Sequence, residues 1–168
     1  AVVRYLDMPV QHVDDALLRR MNRRGTADHI RGIVDRVRET MPDCILRTTV
    51  IVGFPGETQE DIDLLTAYME ALRFDRLGAF SFSPEEGTAA EKMPDQVPEG
   101  IKAERLERVM RLQAQISLEQ NRLRIGSTET LLVTGRAGGR YLARSQWEAP
   151  DSDGIIYLTS AQALKPGD

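Results

Sequence analysis

The sequence has little cysteine, few aromatic residues and no long apolar run, and each shortage excludes a class of protein. Cys44 is the one cysteine among 168 residues. It cannot form an internal disulfide, and it cannot supply the three or four thiolates of an iron-sulfur or structural zinc site. Apolar stretches such as 50–52 are far shorter than the ~18 residues of a membrane-spanning helix. We therefore expect a soluble, cytoplasmic chain that makes no membrane contact and ligates no metal itself.

Positive charge is also scarce. Lys plus Arg number 22 against 26 for Asp plus Glu, which gives a net charge of −4. No segment has the basic excess expected of a dedicated nucleic-acid binder. The densest basic stretch comprises Arg19, Arg20, Arg23 and Arg24, and a solvated helix end explains it about as well as a phosphate contact does.

The apolar periodicity predicts strands and helices in alternation, followed by short strands alone. Strands are predicted at 4–10, 46–52 and 76–82, and helices at about 14–21, 26–41, 58–72 and 99–124. This order indicates an α/β fold with right-handed crossovers and a parallel sheet. Segments 128–134, 140–145 and 155–159 then predict a small antiparallel meander. We therefore divide the chain into domains 1–125 and 126–168.

Three loops should meet where the parallel strands end, at residues 11–12, 53–57 and 83–88. The glycines of the second loop let the main chain approach a ligand, and the amides of the following helix could bind an anion. Tight turns would explain those glycines equally well. His12 fits a hydrogen-bonding loop residue better than a catalyst, and the loop carboxylates of Glu85 and Glu86 fit either a general-base pair or a solvated surface.

Arg47 stands out because it lies within an apolar strand. A buried guanidinium there needs an anion, which could be the carboxylate of a ligand. Pairing with an acidic neighbour is the alternative, and the sequence favours neither.

At these loops the sequence resembles the radical S-adenosylmethionine methylthiotransferases. The resemblance covers nearly the whole chain and is carried by the runs LDMPVQH (6–12), RTTVIVGFPGET (47–58), FDRL (74–77), SPEEGT (83–88) and MPDQVP (93–98). The Arg-Thr-Thr run and the Pro-Glu-Glu-Gly-Thr loop are similar to the RimO-type branch, which modifies an aspartate of a small-subunit ribosomal protein. The tRNA-modifying branch typically has Ser-Pro-Arg-Pro-Gly-Thr there, so Glu85 and Glu86 discriminate between the branches.

The resemblance implies the C-terminal half of a partial TIM-like barrel of six parallel strands, followed by a small β-barrel called TRAM, here incomplete. It implies S-adenosylmethionine and two 4Fe-4S clusters as cofactors of a longer protein. The family's cysteine triplet is missing from this chain, and Cys44 matches none of the cluster ligands. The chain is therefore expected to be an inactive fragment that positions the cofactor.

The resemblance also assigns roles to individual residues. Gln11 is similar to the group that reaches the ribose, and Arg47 to the residue that binds the methionyl carboxylate. The residues implied to pack beside or under the adenine are Thr49, Val52, Gly53, Phe82 and Ser83. His12, Glu85 and Glu86 are candidates for contact with the substrate, and Glu57 falls one residue later than the family's common spacing.

Two other functions remain open from the sequence. One is a tRNA adenosine methylthiotransferase, and the other is a non-catalytic module that binds a ribosomal or RNA partner. The segment after Gly126 holds four basic and five acidic residues, so recognition of the ribosomal protein fits it better than recognition of the ribosome or RNA.

Overall fold

The computed structural model describes residues 3–168, which fold as two compact units. One unit comprises residues 6–123, and the other comprises residues 3–5 with 124–168. The elements in chain order are β1 (Tyr5–Asp7), α1 (Asp15–Arg20), α2 (Ala27–Thr40), β2 (Ile45–Val52), α3 (Gln59–Leu72), β3 (Arg76–Ser81), a short 3₁₀ helix (Ala90–Lys92), α4 (Glu99–Leu123), β4 (Leu132–Ala137), β5 (Arg140–Arg144) and β6 (Ile156–Leu158).

The sheet of the first unit has the order β1-β2-β3, with β2 parallel to β3. Strand β2 alternates between a helix-covered face and an open face, since successive side chains of a strand point to opposite sides. Leu46, Val50 and Val52 are buried on the covered face, whereas Arg47 and Thr49 are half-buried on the other. The predicted α/β class with three parallel strands is confirmed, and the described residues do not close a barrel.

Helices α2, α3 and α4 supply the core that covers this sheet. The side chains that pack there are fully or almost fully buried and include Val34, Ile62, Leu65, Met69, Val109 and Ile116. Helix α3 begins with a capping box: the Thr58 hydroxyl accepts from the Asp61 amide, and the Asp61 carboxylate accepts from the Thr58 amide. These caps satisfy amides that the sequence left available for an anion.

Strand β1 is shorter than the predicted segment 4–10. The Met8 amide still donates to the Arg47 carbonyl at 2.9 Å, but the next amide on that side, that of Val10, does not bond a carbonyl of β2, so the ladder is interrupted there. The buried hydroxyl of Thr48 spans this gap, because it donates to the Met8 carbonyl at 2.9 Å and accepts from the Val10 amide at 3.3 Å. The chain then returns to β2 at Gln11, which forms a parallel bridge with Val50.

The second unit contains an antiparallel sheet of order β4-β5-β6. Strand β4 begins later than the predicted segment 128–134 and extends further, to Ala137, because Gly138 and Gly139 both have positive φ and make a two-residue hairpin turn after it. That turn sets Ala137 opposite Arg140 and carries the pairing up to the turn. Beside the sheet, the Arg124 guanidinium donates to Glu148 at 2.7 Å. Among the described residues, no helix is long and apolar enough to cross a membrane.

Candidate functional site

A cavity of about 290 Å³ opens at the C-terminal ends of the parallel strands. One wall is aromatic, because the rings of Phe54 and Phe82 meet edge to face with centroids 5.1 Å apart. Its other lining residues are Gln11, Arg20, Met21, Asn22, Arg23, Ile51, Ala89, Ala90 and Met93. The cavity is thus mainly apolar, with two side-chain amides and two guanidinium groups in its lining.

Gln11 enters this cavity from an unusual backbone conformation. Its φ is 69°, and the amide of His12 donates to the carbonyl of Val10 at 2.9 Å, which makes a three-residue γ-turn. The Gln11 amide donates to Thr49, and its carbonyl accepts from Ile51, both at 2.8 Å. Its side-chain amide has no hydrogen-bond partner within residues 3–168. The backbone is therefore fixed, and the side chain remains available to a ligand.

A fully buried histidine and glutamate lie directly behind Gln11. His12 Nδ1 accepts a hydrogen bond from the Asp14 amide at 2.9 Å, so the proton of the neutral ring is on Nε2. That nitrogen lies 3.6 Å from Glu57 Oε2, too far for a good hydrogen bond. The other carboxylate oxygen, Glu57 Oε1, accepts from the Gly53 amide at 2.7 Å and from Arg105 Nη1 at 2.8 Å.

The protonation states follow from burial. Burial lowers the pKa of His12 to about 4, so its imidazole is neutral near pH 7. Burial also raises the pKa of the Glu57 carboxyl, while the Gly53 amide and the Arg105 guanidinium act in the opposite direction. Both donors favour the carboxylate form. The arrangement is a neutral imidazole that faces a buried ion pair.

Two cationic side chains cover the glycine loop, residues 53–57. The stem of Lys102 from α4 lies over Gly53, where a Cβ atom would be 2.3 Å from Lys102 Cγ. The Arg20 guanidinium lies over Gly56, where a Cβ atom would be 2.0 Å from Arg20 Nη1. Both glycines also have positive φ, 75° and 81°. Close approach and backbone conformation both require glycine at position 53, whereas at position 56 the Arg20 head can move aside and the positive φ alone favours glycine.

The structure places some of the predicted site residues together and leaves others apart. Gln11 and Phe82 line the cavity, and Thr49 lies on the open face of the sheet. The side chain of Val52 is buried on the helix-covered face, and Gly53 is buried under Lys102. The residues that are exposed and outside the cavity lining are Ser83, Glu85 and Glu86. His12 is fully buried against Glu57.

Arg47 is half-buried on the open face of the sheet. Its Nη1 lies 3.7 Å from Asp7 Oδ2, and about half of the Asp7 side chain is exposed. Arg47 therefore has an acidic neighbour, which was one of the two interpretations of this residue; the other was a ligand carboxylate. The contact is long and partly solvated, so it leaves the guanidinium donors available for a second anion.

Sequence reasoning missed the contribution of α4. Lys102 and Arg105 are both buried and both reach the strand ends. Charged residues on an amphipathic helix usually form its solvated face, so the sequence alone gave no reason to place these two inside. The one available signal was their spacing of three residues beside the apolar position Val109.

Comparisons with known proteins agree with this fold. The Radical SAM superfamily model matches residues 1–68, and the TRAM domain model matches residues 125–168. In solved structures, the coproporphyrinogen III oxidase HemN from Escherichia coli, described as a radical SAM enzyme, has a TM-score of 0.59 at 18% identity. The match covers 85% of this chain and 41% of that one, and it shows the fold alone.

Closer relatives carry the name ribosomal protein uS12 methylthiotransferase RimO. The chain is 48% identical to the protein from Geobacter sulfurreducens over 96% of its own length and 37% of the relative's. It is 46% identical to the protein from Desulforudis audaxviator over 98% of its own length and 36% of the relative's.

The parallel α/β unit is therefore similar to radical SAM proteins, in sequence over residues 1–68 and in its fold. The chain as a whole is related to the RimO-type methylthiotransferases, as its sequence motifs indicated, and it spans a little more than a third of their length.

Proposed function

We propose that the protein carrying this chain is a radical S-adenosylmethionine methylthiotransferase that modifies a small-subunit ribosomal protein. This chain provides the surface on which the cofactor lies. The observation that carries the proposal is the unpartnered amide of Gln11 beside the Phe54–Phe82 wall at the strand ends. An amide suits ribose hydroxyls, and an aromatic and aliphatic wall suits an adenine ring.

The cofactor fits the residues present. Gln11 would bind the ribose, and Phe82 would lie against the adenine with main-chain contacts from Ser83. Thr49, Val52 and Gly53 would form the floor of the site, Val52 through its main chain because its side chain faces the helices. When bound together, S-adenosylmethionine and a reduced cluster supply the radical that removes hydrogen from the substrate carbon.

Arg47 would bind the methionyl carboxylate with its planar fork. The two 4Fe-4S clusters would be ligated outside this chain. Its single cysteine, Cys44, is buried, and no group of three ligating side chains suitable for a metal occurs in the part of the chain that the structure describes.

The substrate would be recognised as a protein. The relatives' name specifies a ribosomal protein, and the 126–168 segment has no basic surplus for RNA. Glu85 and Glu86 are exposed on the loop after β3, where they could meet a basic ribosomal protein. Such a reaction takes place in the cytoplasm, where ribosomes are assembled.

The test is equilibrium binding of S-adenosylmethionine to the full-length protein with reconstituted clusters. Gln11→Ala should weaken binding about tenfold, by the loss of a hydrogen-bonded ribose contact. Arg47→Ala should weaken it about thirtyfold or more, and Arg47→Lys should recover part of the loss. Asp7→Asn is the matched control, because it removes the acidic neighbour of Arg47 and leaves the guanidinium.

Unchanged affinity in both alanine variants would exclude a cofactor site at this sheet. A loss of stability without a loss of affinity in Arg47→Ala would make Arg47 a structural partner of Asp7. Mass analysis of a ribosomal protein incubated with the parent enzyme supplies the second arm. A methylthio group on tRNA and not on the ribosomal protein would refute the substrate.

A further inference from the structure

The γ-turn at Gln11 is a conformation that the residue does not favour. A residue with a φ of 69° is in the left-handed region, which residues with a Cβ atom adopt only at a cost. Non-glycine residues persist there when the surrounding structure over-determines them, and such residues cluster at functional sites. The contacts that hold this turn therefore decide where the Gln11 amide points.

Those contacts come from the next residue, His12. Its amide closes the turn on Val10, and its ring is held by one hydrogen bond, at Nδ1. Nδ1 accepts from the Asp14 amide, and Nε2 faces Glu57 Oε2. Neither Nε2 nor Oε2 has a hydrogen-bond partner within the described residues, so each depends on the other for electrostatic compensation.

Glu57 is fixed in turn from two further elements. The Gly53 amide at the end of β2 and the Arg105 guanidinium of α4 both donate to its Oε1. Arg105 also donates to the Glu57 carbonyl at 3.1 Å. Contacts from α4 and from the loop 53–57 therefore help to set the position of the His12 ring, in addition to the contacts of its own segment.

We propose that His12, Glu57 and Arg105 form a positioning unit that holds the Gln11 amide in place for the ribose. This inference rests on the proposed function, since it assumes that Gln11 binds the cofactor. None of the three touches the cavity, because each is buried behind it. They are positioning residues, and their effect on binding passes through Gln11.

The obvious perturbation is Glu57→Gln, which keeps the shape and removes the charge. Its amide oxygen can still accept from Gly53 and Arg105. Its NH₂ group then faces the Nε2–H of His12, so two donors oppose each other. Relief requires the other histidine tautomer, whose Nδ1–H would oppose the Asp14 amide. Either way His12 moves, and the γ-turn that it closes moves with it.

The test is a double-mutant cycle on the dissociation constant of S-adenosylmethionine in the full-length, cluster-loaded protein. Glu57→Gln should weaken binding about tenfold in the parent. It should weaken binding less than twofold in Gln11→Ala, because the group that it misplaces is already absent. A general loss of structure would not depend on Gln11, so the coupling separates positioning from stability.

Thr66→Val is the matched control. Thr66 is a buried residue of α3 whose hydroxyl donates to the Ile62 carbonyl at 3.0 Å, away from His12. It should lower stability and leave affinity unchanged with either residue at position 11. If Glu57→Gln does not fold, His12→Asn takes its place in the cycle, because asparagine cannot reach both the Asp14 amide and Glu57.

The possible outcomes are distinct. Coupling between position 11 and position 57 supports the inference. An equal loss of affinity from Glu57→Gln with either residue at position 11 overturns it, as does no loss in the parent. If the parent and Gln11→Ala bind the cofactor equally well, the proposed role of Gln11 is refuted. The positioning unit then has no group to position.

Discussion

Alanine at position 53 should destabilise the protein by two separable mechanisms. The φ of 75° is unfavourable for any residue with a Cβ, at a cost of about 1 to 2 kcal/mol. The new Cβ would also lie 2.3 Å from Lys102 Cγ and 3.1 Å from Lys102 Cδ. Lys102 is buried, and Cγ is close to its backbone, so the side chain cannot simply swing into solvent.

Overpacking of this kind typically costs about 1 to 3 kcal/mol. We therefore expect Gly53→Ala to lower the free energy of unfolding by about 2 to 5 kcal/mol, measured by urea titration with circular dichroism. Gly87→Ala is the control, because Gly87 has a similar φ of 81° and no atom within 4 Å of a new Cβ. It should show the backbone cost alone.

A Lys102→Ala background separates the two mechanisms further. Removal of the stem leaves the φ penalty and a 3.2 Å contact with the Lys102 Cβ atom, so Gly53→Ala should cost only slightly more there than Gly87→Ala does. Equal losses for Gly53→Ala and Gly87→Ala in the parent would contradict the close approach of Lys102. So would a Gly53→Ala loss that Lys102→Ala does not reduce.

Three further predictions concern buried charge and are checked by the same unfolding measurement. Arg105→Ala should cost about 3 to 5 kcal/mol, since Glu57 loses its buried partner, and Glu57→Gln should reduce that cost when the two are combined. Between the ordinary pKa of 6.5 and the folded value of about 4, the unfolded chain binds a proton at His12 and the folded chain does not. The free energy of unfolding should therefore fall by about 3 kcal/mol as pH drops through that window. If the difference in this free energy between the parent and His12→Asn does not change with pH, the prediction is wrong. In the second unit, Arg124→Ala should cost about 2 to 3 kcal/mol by leaving the buried Glu148 without its guanidinium, whereas Arg122→Ala on the exposed end of α4 should change little.

The class and order of the elements could be predicted because their signals are local. Helix caps at Thr26 and Thr58 and the β-branched run of β2 point to the structures that form. Errors arose where pairing depends on a distant strand. The Thr48 hydroxyl replaces a main-chain partner between Met8 and Val10 and interrupts β1, and the turn at Gly138 decides where β4 ends.

The candidate site was predictable only in part. Gln11 was recognisable because it follows a strand whose end meets the others at one edge of a parallel sheet, and Phe82 was a candidate through the resemblance to the methylthiotransferases. The burial of His12 against Glu57 was not, since these residues are 45 positions apart and join only when the strands pair. The role of Arg105 was even less predictable, because a cationic side chain on a long helix is ordinarily solvated.

The glycine-rich loop after β2 is held by side chains from α4 and by Glu57. These contacts explain how a loop with two glycines can keep one conformation. Glycine usually adds conformational freedom, which would loosen a binding edge. Here Lys102 covers Gly53, and the Gly53 amide is held by Glu57, whose carboxylate is held by Arg105. Glycine allows the positive φ at position 53, and the contacts with α4 then restrict the backbone to that conformation. A preorganised edge of this kind would bind the proposed cofactor without the entropic cost of ordering a loop.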